Sequence, residues 1–143
     1  MTPDGTASES LGSRIREAWE LRFNQRIDEA RSRLHALRNE AGLPPLLGPE
    51  LPDLSAEAVE LALLSASLLR AEGQLERSRE LVEACERQVT SRGLPMPFQL
   101  PVQKALGLTL QGDWSRALEL YLTALHRASS DWERCSALLN SLL

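Results

Sequence analysis

The chain has 143 residues, is 43% hydrophobic and 25% charged, and carries a formal net charge of −4 with a pI near 5.3. That length buries one extended core but hardly two independent ones, so a single structural unit is expected. The acidic balance argues against nucleic acid or an anionic membrane as the main partner, because both reward a basic surface, and residues 1–10 lack the apolar run of a signal or membrane anchor.

Residues 1–9 are short, polar and rich in Ser, Thr, Gly and Asp, and read as a disordered N-terminal tail. Helical periodicity begins near Ser10. A first helix carries Leu11, Ile15, Ala18, Trp19 and Phe23. A second, from Ile27 to Glu40, carries Ala30, Leu34 and Leu37 and stops at Gly42. Their turn, at Asn24 and Gln25, has no glycine, so these two helices are expected to be joined less sharply than later pairs, or even to run on as one.

Residues 42–55 hold four prolines and two glycines, which no helix interior accommodates. The segment also carries Leu43, Leu46, Leu47, Leu51 and Leu54, so it is expected to lie packed across the helices. Ser55 or Asp53 caps a third helix that reaches Ala71, with Glu57 in its first turn. Gly73 turns the chain into a fourth helix from Leu75 to about Val89, broken by the segment Gly93 to Pro97. A fifth helix has Pro101 in its first turn and ends at Leu110. After Gly112 and Asp113 a sixth runs from Trp114 to Ala128. Ser130 and Glu133 form a capping-box pair for a seventh, with Trp132, Cys135, Leu138, Leu139 and Leu142 on its apolar side.

Across these elements one pattern of small and large residues around a turn recurs three times at identical spacing. It runs Ala18, Leu21, Gln25, Ala30, Leu34, Leu37; then Ala66, Leu69, Gly73, Ser78, Val82, Cys85; then Ala105, Leu108, Gly112, Ala117, Tyr121, Ala124. Each copy is a helical hairpin with small residues where its helices must approach and large ones where they fill the gap. The third copy resembles a tetratricopeptide repeat, with Gly112 as the turn glycine, Ala117 as the small residue opening the second helix, and Tyr121 and Ala124 as the following pair. The middle copy departs at Ser78, where alanine is usual, and the first at Gln25 and Leu37. The copies are also spaced more widely than the family's repeat of about 34 residues. The resemblance covers about two thirds of the chain and implies an all-α fold: an α-solenoid of about three irregular hairpins plus a final helix, over residues 10–143.

In that family the first helix of each hairpin lines a groove for a peptide or protein surface. By register the groove is expected at Ile15, Trp19, Arg22 and Phe23, then Leu63, Ser67 and Arg70, then Val102, Leu106 and Thr109. Trp19, Arg22 and Arg70 stand out, since aromatic and arginine side chains dominate binding hot spots. Competing with that, Trp19 and Phe23 are read as core and the arginines as a solvated face.

No catalytic constellation is visible. His35 and His126 lack a second ligand at metal spacing, the glycines fall at helix stops and turns, and Cys85 and Cys135 lie on apolar faces as buried free thiols. No enzyme activity, cofactor or metal is expected. Lys104 is the only lysine, an arginine bias that reads as a GC-rich bacterial genome and, without a signal, a cytoplasmic address. The expected role is a protein or peptide interaction and assembly module. The apolar end at Leu138, Leu139, Leu142 and Leu143 suggests the N-terminal part of a longer protein, or a homodimer. The alternative is a sensory or dimerisation domain of a bacterial signalling protein, such as a nucleotide cyclase, a cyclic-dinucleotide synthase or a transcription regulator, with a small-molecule ligand in the groove.

Overall fold

The computed structural model of the protein describes residues 10–46 and 50–127. They form six helices and no strand: α1 (Leu11–Phe23), α2 (Ile27–Glu40), α3 (Ala56–Ala71), α4 (Leu75–Arg92), α5 (Gln99–Leu110) and α6 (Trp114–Arg127). The chain is thus all-α over the described residues. The tail at 1–9, Leu47 and the seventh helix from Ser130 lie outside them.

Local chemistry accounts for the helix limits. Ser10 and Ser55, both in extended backbone, accept the N–H groups of Ser13 and Ala58 at 3.0 and 3.2 Å, so Ser55 and not Asp53 caps α3. Pro101 is the third residue of α5, where its missing N–H costs nothing.

Helices α1, α3 and α5 end in one and the same motif. The residue past the cap is left-handed, with φ of 62° at Gln25, 83° at Gly73 and 82° at Gly112. Its N–H donates three residues back, to Arg22, Arg70 or Thr109, at 3.0–3.1 Å. The next N–H donates five residues back, to Leu21, Leu69 or Leu108, at 2.9 Å. This is the Schellman arrangement. The looser first turn expected from Gln25 is therefore not what forms. Backbone hydrogen bonds and the packing of the flanking helices dictate the turn, and Gln25 adopts a conformation costing about 1–2 kcal/mol in an L-residue. Gln25→Gly should raise stability by about 0.5–1 kcal/mol once glycine's extra freedom in the unfolded chain is subtracted, and Gly73→Ala should lower it by about 1 kcal/mol. Backbone strain alone drives the second effect, because a Cβ at Gly73 meets nothing within 4 Å. Urea denaturation of both variants checks the opposite signs.

Each hairpin packs internally, α1 on α2, α3 on α4 and α5 on α6. Between hairpins α2 meets α3 and α4 meets α5, while α1, α3 and α5 meet in chain order. Helices α2, α4 and α6 do not touch one another, nor does α1 touch α5. The small residues of the pattern sit at the crossings: Ala18, Ala66, Ala105, Ala30 and Ala124 are fully buried. Ser78 keeps its place among them because its hydroxyl donates to the Ala66 carbonyl at 2.7 Å.

The proline-rich connector is held across α3 and α4. Leu46 and Leu54 are buried, the Ser65 hydroxyl donates to the Leu46 carbonyl at 2.6 Å, and Gln88 takes the Leu54 N–H at 3.0 Å. Arg92 adds a bond to the Leu54 carbonyl at 2.6 Å.

Among the described residues the apolar interior forms a larger and a smaller cluster. The larger cluster joins hairpins α1–α2 and α3–α4 with the connector and Leu100, and α3 is buried without a break from Leu61 to Leu69. The smaller belongs to the third hairpin: Val102, Ala105, Ala117, Tyr121 and Ala124. Ser67, Gln99 and Gln103 are buried and polar.

Cys85 is a buried free thiol, pushed by desolvation from 9.0 up to about 12. Because the unfolded chain ionises first, the stability gained from keeping Cys85 neutral is complete below pH 9. It fades as pH climbs toward 12, by about 1.4 kcal/mol per pH unit. Denaturation at pH 8 and pH 10.5 should show a steeper loss for the natural chain than for Cys85→Ala, and equal losses would contradict this. Cys135 lies outside the described residues.

Candidate functional site

The ten residues expected to line a groove fall into two groups. Ile15, Trp19, Leu63, Ser67 and Val102 are buried, and the rings of Trp19 and Phe23 pack at 5.7 Å. Arg22, Phe23, Arg70, Leu106 and Thr109 are half-buried. A partner on this side could reach only the second group.

The arginines are not a solvated face. Arg22 from α1 donates its Nε to Ser67 Oγ at 2.9 Å, and Arg70 sends Nη1 to Gln103 Oε1 at 2.8 Å and Nη2 to Ser67 Oγ at 3.4 Å. Gln103 then donates to Gln99 Oε1 at 3.2 Å. A polar seam thus runs from α1 through α3 to α5, along the line that separates the two apolar clusters. Tyr121 of α6 adjoins it, hydrogen-bonded to Thr109 and sensing the charge of Arg70.

Among the described residues no carboxylate pairs with Arg22 or Arg70. Burial lowers the pKa of both, and for Arg70, with Arg22 beside it, the value falls to about 10. Both groups stay charged at neutral pH, so the seam holds two like charges partly out of water.

Arg70 also forms one wall of a groove of about 460 Å³ between α4 and α5. The other cations there are neutralised. Arg79 pairs with Glu76 and with Glu83 at 2.9 Å, Lys104 with Glu86 at 2.5 Å, and Arg116 with Asp113 at 3.6 Å. Leu75, Val82, Leu108 and Leu110 add apolar surface to a lining of mixed character.

A second surface lies on α6. Trp114, Leu118 and Leu122 are 67%, 58% and 47% exposed, a stripe at intervals of four residues. Counted from the small residue that opens each second helix, Leu118 and Leu122 take the register held by Arg31 and His35 in α2 and by Arg79 and Glu83 in α4.

His35 and His126 are exposed, and Arg38 lies 2.8 Å from His35 Nδ1. Among the described residues no three His, Cys, Asp or Glu side chains gather to hold a metal ion, and no helix is long and apolar enough to cross a membrane.

Register reasoning found Arg22, Ser67 and Arg70 but missed Gln99, Gln103 and Tyr121. The available signal was a pair of glutamines four apart on a largely apolar helix, the spacing that sets two amides on one face. No family model, curated protein or solved structure matches this chain.

Proposed function

We propose that the chain is a protein-binding module of the tetratricopeptide-like, α-solenoid type, and that its third hairpin receives an amphipathic helix from a partner protein. The observation that carries this reading is the apolar stripe Trp114, Leu118 and Leu122. In the first two hairpins the face at this register meets the next hairpin: Arg31 pairs with Glu72, and Arg79, Glu83 and Glu86 face α5 across the groove. The corresponding face of the third hairpin carries exposed Leu118 and Leu122 where its predecessors carry polar or charged side chains. Helix-in-groove recognition uses anchors at this spacing. The repeated turn motif and the ordered meeting of α1, α3 and α5 support the array reading.

The test is a photo-crosslinker at Leu118 in living cells, with the adduct mapped by mass spectrometry. The reading expects an adduct within an amphipathic helix of another protein, and at least roughly tenfold weaker binding of that purified protein when Leu122 becomes Glu. Adducts confined to residues 128–143 of the same chain would mean that the stripe is covered internally. Adducts to Leu118 of a second copy would mean self-assembly. Either result overturns the proposal.

A further inference from the structure

The structure assigns a second, separate binding site: we propose that the groove between the second and third hairpins takes a monocarboxylate with an apolar body, its carboxylate received by Arg70. None of Trp114, Leu118 and Leu122 lines this groove, so the proposal stands apart from the helix-binding reading.

Charge matching comes first. Of the four cations that line the groove, Arg79, Lys104 and Arg116 each have a carboxylate, and Arg70 has none among the described residues. A guanidinium has five N–H donors, and the bonds to Gln103 and Ser67 use two of those of Arg70, the second at a long 3.4 Å. Arg22, held on the same Ser67 oxygen, adds a like charge behind it. Two partly buried cations with no carboxylate among the described residues are costly, and an oxyanion at Arg70 offsets part of that cost.

Arg70 is also held ready. Gln103, itself fixed by Gln99, and Ser67 grip two of its nitrogens, so little side-chain freedom remains to be lost on binding. The volume of about 460 Å³ lies in the range of small-molecule sites. Gly107 leaves space, since a Cβ there meets nothing within 4 Å.

The remaining lining decides which anion. Glu76, Glu83 and Glu86 of α4 face the same groove, so a phosphate dianion meets three carboxylates where a carboxylate brings only one charge. Leu75, Val82 and Leu108 suit an apolar body behind the charged head.

The experiment titrates the full ¹⁵N-labelled chain with hexanoate at constant ionic strength, with hexanamide and inorganic phosphate as comparators. Hexanoate should give saturable shifts at the Gly107 amide and the Arg70 Nε–H, and the comparators should give none at equal concentration. Arg70→Gln should weaken binding roughly tenfold or more, the loss expected for a charged hydrogen bond. Arg33→Gln, on α2 and outside the groove lining, should stay within about twofold. Gly107→Leu, which fills the groove and leaves Arg70 in place, should abolish binding. It decides the matter if Arg70→Gln does not fold. Absence of a saturable hexanoate shift, equal binding of phosphate, or undiminished binding by Gly107→Leu overturns the proposal.

Discussion

Replacing Trp19 by alanine should destabilise the protein by about 3–5 kcal/mol, the cost of removing a large buried aromatic and leaving a cavity. Trp19 is 2% exposed and packs with Phe23 in the larger apolar cluster, where Ala18 and Ala66 already bring helices close. The helices cannot collapse further into the space, since α1 is fixed against both α2 and α3. A parallel variant, Phe23→Ala, should cost less, because that ring is only half-buried. Urea denaturation followed by circular dichroism separates the two. Should Trp19→Ala keep its stability within about 1 kcal/mol while a partner is lost, the ring would be a contact residue and not core.

A gain of stability is expected from Arg70→Met combined with Gln103→Leu, by about 1–3 kcal/mol, accompanied by loss of any hexanoate response. The double change matters. Arg70→Met alone removes a desolvated charge repelled by Arg22 but orphans the Gln103 carbonyl, 2% exposed at residue level, and these effects are each about 1–3 kcal/mol and oppose each other. Removing both partners takes away the desolvated charge and the buried amide together, while Arg22 keeps its bond to Ser67. Thermal unfolding of the single and double variants gives the coupling directly. A double variant less stable than the natural chain would show that the seam contributes to stability, against the view that it is retained for binding.

Much of this architecture could be read from residue types. The bounds of α2 and α3, the start of α4 and the end of α5 coincide with Gly42, Ser55, Gly73 and Gly112, because caps and left-handed turns are local chemistry. The leucines of the connector announced its packing for the same reason, as Leu46 and Leu54 have nowhere to go but inward. Gln25 was misleading: a residue without glycine's freedom was forced into glycine's conformation by contacts between helices, which local preference does not contain. The candidate site was half legible. Register placed Arg22 and Arg70 on neighbouring helices, yet their convergence on Ser67, and the absence of a carboxylate among the described residues, depend on side-chain directions that no spacing encodes.

The division of the interior has a consequence for how the molecule comes apart. Helix α3 touches α1, α2, α4 and α5, whereas among the described residues the third hairpin meets the other helices through α5 alone, where Leu100, the glutamine and arginine seam and the Lys104 to Glu86 pair lie. Amide exchange should therefore be graded along the chain, slowest from Leu61 to Leu69, with α6 and the C-terminal half of α5 opening together as a unit of low local free energy. A hairpin that detaches ahead of global unfolding gives proteases their first access near Gly112. It also makes the junction between α4 and α5 the place where a bound molecule would alter the lifetime of the closed form most.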